Sequence, residues 1–104
     1  MQIQSQLILM TYKLEFHPKA LKEWNKLDST IRQQFKKKLQ ERLKSPKVAK
    51  DKLKGHQEVY KIKLRSAGFR LAYRVLDNRL VIFVIVVGKR ENNEIYYSLD
   101  KRKN

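Results

Sequence analysis

The stretch Tyr60–Val75 constrains this chain more than any other. Tyr60, Ile62 and Leu64 alternate with Lys61, Lys63 and Arg65. After Ser66-Ala67-Gly68, the residues Phe69, Leu71, Tyr73 and Val75 alternate with Arg70, Ala72 and Arg74. Alternation with a period of two marks a strand with one buried face, and the small residues between the runs supply a short turn. The stretch therefore predicts a β-hairpin with one apolar face and one face bearing the cations Lys61, Lys63, Arg65, Arg70 and Arg74. Slippage by one residue would exchange the faces, so the register is fixed by burial. Like charges side by side on a sheet repel one another. A chain that concentrates them there needs an anionic partner for that face.

The rest of the composition supports this reading. Lys and Arg outnumber Asp and Glu by 25 to 10 in 104 residues, a formal charge of +15. Such a balance points to a polyanion, with nucleic acid the first candidate and an anionic membrane surface the second. The apolar residues, 41% of the chain, fall into strand-like and helix-like patterns, so this is one folded domain rather than a basic tail. There is no cysteine. That excludes disulfides, thiolate metal sites and a cysteine nucleophile, and it fits a reducing cytoplasm. No segment reaches the ~18–20 apolar residues of a membrane span. The N-terminus lacks the basic start and small-residue cleavage site of a signal peptide.

The remaining elements follow in order. Residues 1–9 are polar, then briefly apolar, and precede a second methionine. Either Met10 is the native start and residues 1–9 an extension, or Leu7–Phe16 forms one long first strand. Tyr12, Leu14 and Phe16 alternate with Lys13 and Glu15, which predicts a strand over 11–16. Pro18 suits a first helical turn, and Ala20, Leu21, Trp24 and Leu27 recur at helical spacing. The chain breaks near Asp28-Ser29. Thr30 with Gln33 predicts a capping box for a second helix, whose apolar stripe is Ile31, Phe35, Leu39 and Leu43. Ser45-Pro46 ends it. A loop with a turn at Gly55 leads into the hairpin. Leu80–Val87 is apolar on both faces and reads as a central strand. Asn92–Lys103 predicts one or two helical turns. The sum is an α+β fold: an antiparallel-rich sheet of about four strands, a helical hairpin on one face, and a short C-terminal helix.

The candidate chemistry is cationic. His17 and His56 are far apart and have no acidic neighbours at metal-ligand spacing, so no metal and no cofactor are expected. His17 reads as a helix-entry residue. There is no phosphate-binding glycine loop and no arrangement suggesting a Ser-His-acid triad. Glu58, Glu91 and Glu94 read as charge-balancing groups. What remains is the hairpin cations, Lys89 and Arg90 at the end of the fourth strand, and Tyr96 or Tyr97 beyond. The triple Lys36-Lys37-Lys38 on the second helix is a solvated basic face. With Arg65, Arg74 and Lys89 it forms the expected RNA- or ribosome-binding surface. RNA cleavage without a metal needs a base for the 2′-hydroxyl, cations for the phosphate and an acid for the leaving oxygen. Crowded cations can meet these needs, because each one makes its lysine neighbour easier to deprotonate.

Four segments give the chain a resemblance to a known family. They are Ala-Leu-Lys-Glu-Trp at 20–24, Lys-Leu-Lys-Gly at 52–55, the run 60–73, and Val-Gly-Lys-Arg-Glu at 87–91 followed by Tyr96. Over residues 10–97 the chain resembles the RelE toxins of bacterial toxin–antitoxin pairs. The resemblance implies one toxin domain over 10–104. It implies a small α/β ribonuclease that cuts messenger RNA in the A site of the 70S ribosome and stops translation. It implies a RelB-type antitoxin, with operator DNA reached only through the antitoxin complex, and no membrane partner. The family's active residues fall on Lys61, Lys63, Arg70, Arg90 and Tyr96. Tyr96 or Lys61 then helps activate the 2′-hydroxyl, Lys63 and Arg70 hold the phosphate, and Arg90 assists the leaving group. A non-catalytic RNA- or ribosome-binding module would use the same face. A third reading is a regulatory protein that docks an acidic peptide there.

Overall fold

A computed structural model of the chain describes residues 11–89 and 94–102. Residues 1–9, Met10, Arg90 and Glu91 lie outside the described residues. The elements run β1 (Lys13–Phe16), α1 (Pro18–Asn25), α2 (Ser29–Lys44), β2 (Val59–Leu64), β3 (Phe69–Leu76), β4 (Val81–Lys89) and α3 (Glu94–Lys101). The strands form one sheet in the order β1-β4-β3-β2. β2 pairs antiparallel with β3, and β3 with β4, whereas β1 joins β4 in parallel. β4, apolar on both faces, is central as its sequence predicts.

Local chemistry sets the element ends. His17 caps α1, its Nδ1 accepting the Lys19 N–H at 3.1 Å, and Pro18 follows at the first helical position. α2 starts two residues earlier than the Thr30 signal indicates. Asp28 is its cap, with Oδ2 accepting the Thr30 N–H at 3.1 Å. A carboxylate is a strong acceptor for the orphan donors of a first turn, and it also opposes the positive end of the helix dipole. The hairpin turn closes with Gly68 at φ +72°, a conformation glycine adopts without strain, and its N–H donates to the Leu64 carbonyl at 2.9 Å.

The sheet has two covered faces. On the first, Tyr60, Ile62, Leu64, Leu71, Tyr73, Val75, Ile82 and Val84 pack against Ala20 and Trp24 of α1 and Phe35 and Leu39 of α2. Trp24 lies 5.3 Å from Phe16 and 6.3 Å from Phe35 between ring centroids, which ties β1 to both helices. Leu21, expected on the apolar stripe of α1, is instead 44% exposed. On the second face Ile95 and Leu99 of α3 pack with Leu53, Val59, Ala72, Ile85 and Val86. Fully burying one such aliphatic side chain stabilises by ~1.5–3 kcal/mol.

A β-bulge makes the second cover possible. Ala72 pairs with Val86 while Tyr73 pairs with Val84, so Ile85 is an extra residue in β4. Consecutive strand residues normally face opposite ways. The bulge lets Ile85 and Val86 both face α3, and it returns Val87 to the first core.

Candidate active site

The second face is only partly roofed by α3, and the uncovered part carries the hairpin cations. Lys63 pairs with Arg70 across β2 and β3, and Arg70 pairs in turn with Gly88 of β4. Lys61 pairs with Ala72. The side chains of Tyr60, Ile62 and Leu64 point into the first core, so Lys61 and Lys63 must emerge on the face that α3 shares. Tyr96, on the first turn of α3, completes the group. The Arg70 Nη1 donates to the Tyr96 hydroxyl at 3.0 Å. The structure therefore brings Lys61, Lys63, Arg70 and Tyr96 onto one surface.

The electrostatics of this surface are one-sided. Among the described residues, no ion pair includes Lys61, Lys63, Arg65, Arg70 or Arg74. The Nε atoms of Arg70 and Arg74 are buried with no hydrogen-bond acceptor among the described residues. A buried donor without a partner is unfavourable, which leaves each guanidinium incompletely satisfied within the fold. The Lys63 ammonium is held below the ordinary lysine range, first by Lys61, then by desolvation, Arg65 and Arg70. These are the groups that an arriving phosphate would neutralise.

The other expected contacts divide. Arg74 lies four residues along β3 from Arg70, roughly 13 Å at strand rise. Ala72, covered by α3, sits between them. Arg74 instead lines a cleft at the far end with Gln57, Glu58, Asp77 and Asn78. Arg65 is exposed beyond β2 and lines a cleft of about 370 Å³ with Lys38, Lys50 and Lys63 at the sheet edge. Lys36 and Lys37 are exposed on α2, whose buried side packs on the opposite face of the sheet. Lys89 is exposed at the end of β4. Glu58 is a structural partner, 3.7 Å from the Lys47 Nζ and accepting from the Tyr60 hydroxyl at 3.3 Å. His56 lies 4.0 Å from Asp100 of α3. Among the described residues, no group of three or more His, Cys, Asp and Glu is placed to hold a metal ion, and no helix is long and apolar enough to cross a membrane.

One supporting group carried no sequence signal. Behind Lys61, Arg42 of α2 donates through Nη1 to the Lys61 carbonyl at 3.2 Å and to the Tyr73 hydroxyl at 2.8 Å. Its Nη2 meets Asp51 at 2.6 Å. The Tyr73 hydroxyl in turn donates a hydrogen bond to the Pro46 carbonyl at 2.6 Å. Burial raises the Tyr73 phenol above its ordinary range although Arg42 opposes the shift, so it stays a neutral donor. The network anchors the outer edge of β2, the strand that presents both lysines.

Comparison with known proteins decides the family. Residues 14–94 match the model of the ParE toxin of type II toxin–antitoxin systems. The chain is 56% identical over 93 residues to the mRNA interferase toxin RelE of Escherichia coli K12, which covers 89% of this chain and 98% of the relative. The chain belongs to the RelE/ParE toxin family. Solved RelE structures carry the same fold. E. coli RelE in the free state, as a double arginine-to-alanine mutant, matches with a TM-score of 0.83 and 54% identity over 88% of this chain and 97% of that one. The RelE chain of the intact E. coli RelBE toxin–antitoxin complex matches with a TM-score of 0.76 and 57% identity, covering 78% and 99%. The mixed sheet with its C-terminal helix is thus the RelE fold, and the unpaired cations lie on the face of that sheet which α3 roofs only in part.

Proposed function

We propose that this chain is the toxin of a type II toxin–antitoxin pair and an endoribonuclease that cuts messenger RNA in the ribosomal A site, stopping translation. It acts in the cytoplasm as a single toxin domain over residues 10–104. A RelB-type antitoxin neutralises it, and the pair reaches operator DNA through the antitoxin. The names of its E. coli relatives support the activity and the partnership. The observation that carries the assignment to a site is the row Lys61, Lys63 and Arg70 beside Tyr96, cationic and without a carboxylate partner among the described residues.

In the proposed reaction the 2′-oxygen attacks the adjacent phosphorus. The bond to the 5′-oxygen of the next nucleotide breaks, leaving a cyclic phosphate and a 5′-hydroxyl. The Lys61–Lys63 pair takes the 2′-proton. The neighbouring Lys61 charge, then desolvation, lowers the cost of holding Lys63 neutral. Arg70 faces the non-bridging oxygens, where charge builds, as a cation with no carboxylate partner among the described residues. Because Arg70 donates to the Tyr96 oxygen, the phenolic proton is free to orient the 2′-hydroxyl or the phosphate. Arg90, which lies outside the described residues, stabilises the charge on the departing 5′-oxygen, which takes its proton from solvent to become the 5′-hydroxyl. Among its described residues the site has no strong acid/base pair, so it depends on a substrate already held for in-line attack, and the ribosome supplies that geometry. Lys38 and Arg65, which share a cleft with Lys63, and Lys89 supply phosphate contacts nearer the row. Lys36, Lys37 and Arg74, which lie away from it, meet other phosphates of the ribosome.

The test is cleavage of one labelled messenger RNA, naked and on ribosomes with a defined codon in the A site. Cutting confined to the A site and lost in Arg90→Ala is the expected result. Equal cutting of naked RNA would mean a self-sufficient ribonuclease. Ribosome binding without any cutting would mean a binding module.

A further inference from the structure

α3 carries Tyr96 but is only eight residues long. An isolated helix below ~12–15 residues is marginal in water, so its place is set by what holds it. Ile95 and Leu99 supply the apolar part. The polar part sits one residue past the helix. Arg102 meets Glu23 of α1 through two parallel bonds, Nη1–Oε1 at 2.9 Å and Nη2–Oε2 at 2.7 Å. The same Nη1 donates to the Ile85 carbonyl at 2.9 Å, and Glu23 Oε1 also accepts the Val87 N–H at 3.0 Å. The Arg102 side chain is 11% exposed.

The two backbone groups belong to β4 beyond Val84, where its pairing with β1 stops, and next to the bulge at Ile85. Glu23 and Arg102 therefore do for this edge what another strand would do, satisfying one donor and one acceptor. Arg102 follows directly on α3, so engaging this edge ties down the end of that helix. The fork geometry suits arginine, whose two nitrogens match a carboxylate while one also reaches a carbonyl. The bulge, the latch and the docking of α3 form one connected device spanning both faces of the sheet.

We infer that the Glu23–Arg102 pair is a positioning latch for RNA cleavage, holding α3 so that the Tyr96 hydroxyl stays against Arg70. Neither residue touches substrate; both act through Tyr96. The inference rests on the placement of Tyr96 in the active site.

The experiment measures single-turnover cleavage on programmed ribosomes by the full-length chain. The variants are Arg102→Ala, Arg102→Lys and Glu23→Gln, each alone and combined with Tyr96→Phe, alongside hydrogen exchange of the α3 amides. Glu23→Gln keeps an acceptor for Val87 and guards against simple misfolding. Arg102→Ala and Glu23→Gln are expected to slow the cleavage step by roughly 10- to 100-fold, the scale of a misplaced catalytic group. The ribosome concentration at half-saturation should change little, and Arg102→Lys should restore part of the rate. In the Tyr96→Phe background the same changes should cost less than about twofold, because residues acting through one group are not additive. The α3 amides should exchange faster while those of β3 do not.

Equal losses in both backgrounds would overturn the latch in favour of a general effect on the fold. An unchanged rate or unchanged α3 exchange in Arg102→Ala would overturn it as well. A Tyr96→Phe variant as active as the parent would instead remove Tyr96 from the active site, and the latch would fall with it.

Discussion

Arg42 and Arg70 are both half-buried arginines that donate to a tyrosine hydroxyl, at 2.8 and 3.0 Å. Their surroundings are opposite. Arg42 also has the Asp51 carboxylate and the Lys61 carbonyl, and its tyrosine passes the chain on to Pro46. Arg70 has Lys63 across the ladder, Lys61 nearby on the same strand face, and an Nε with no acceptor among the described residues. A cation with a complete set of partners holds a fold together. A cation among other cations raises the energy of the folded state and is stabilised only when an anion arrives. The contrast separates two uses of one residue type that composition cannot distinguish.

The largest expected effect tests the unpaired side. Arg70→Ala should lower A-site cleavage by about 10²–10³-fold, the scale for removing one donor to developing charge. Its unfolding midpoint in urea should stay level or rise as repulsion is relieved. A variant that unfolds, or one that cleaves at the parent rate, would break the comparison. Arg42→Ala should behave in the reverse way and lose ~2 kcal/mol of stability, because a charge-assisted network is left open around Asp51 and Tyr73. Urea denaturation checks this, and a change within about 0.5 kcal/mol would remove Arg42 from the supporting frame.

A smaller effect sharpens the electrostatics. Lys61 is the first cause of the lowered Lys63 pKa, so Lys61→Met should let Lys63 climb back toward 10.5. An NMR titration of the Lys63 side chain reads this directly, and an unmoved midpoint would show that Lys61 does not cause the lowering.

The smallest effect belongs to a paired group at the surface. Hydrogen bonds from Lys47 and Tyr12 hold the Asp77 carboxyl below its ordinary 3.8. A lowered folded pKa gives a stabilising contribution that is present above 3.8 and lost as pH falls through the folded value. Asp77→Asn should therefore flatten the acid limb of the stability profile slightly, and added salt should shrink the difference. Identical acid limbs in parent and variant would rule the contribution out.

The hairpin was legible because strand geometry is a local rule. A period of two assigns Lys61, Lys63 and Arg70 to one face before any tertiary contact is known. The same rule puts Arg74 on that face as well, where its pairing with Val59 and Phe83 places it, but it does not say how far along the face Arg74 lies or what stands between. The roof that divides Arg74 from Arg70 is α3 over Ala72, and nothing in residues 60–75 announces a helix from 94 onward. The capping signal at Thr30 missed for a different, local reason: Asp28, two residues earlier, offers a carboxylate acceptor and takes the cap. The resemblance named Tyr96, but its contact with Arg70 spans 26 positions. The two carboxylate partnerships that hold the frame, Arg42 with Asp51 and Arg102 with Glu23, join residues 9 and 79 positions apart. Charge counts show that such pairs are available but not which ones form.

The sequence by itself determined which side chains share a face, because alternation and helical spacing follow from backbone geometry and the burial of apolar groups. It also determined that most of the basic side chains would find no acidic partner within the chain, since ten acidic residues cannot balance twenty-five basic ones. Only the tertiary structure decided which cations are left unpaired. That depends on a one-residue bulge at Ile85, on a short helix docked over it, and on where the few carboxylates come to rest. Those are long-range contacts, and their energies are settled by packing rather than by any local pattern.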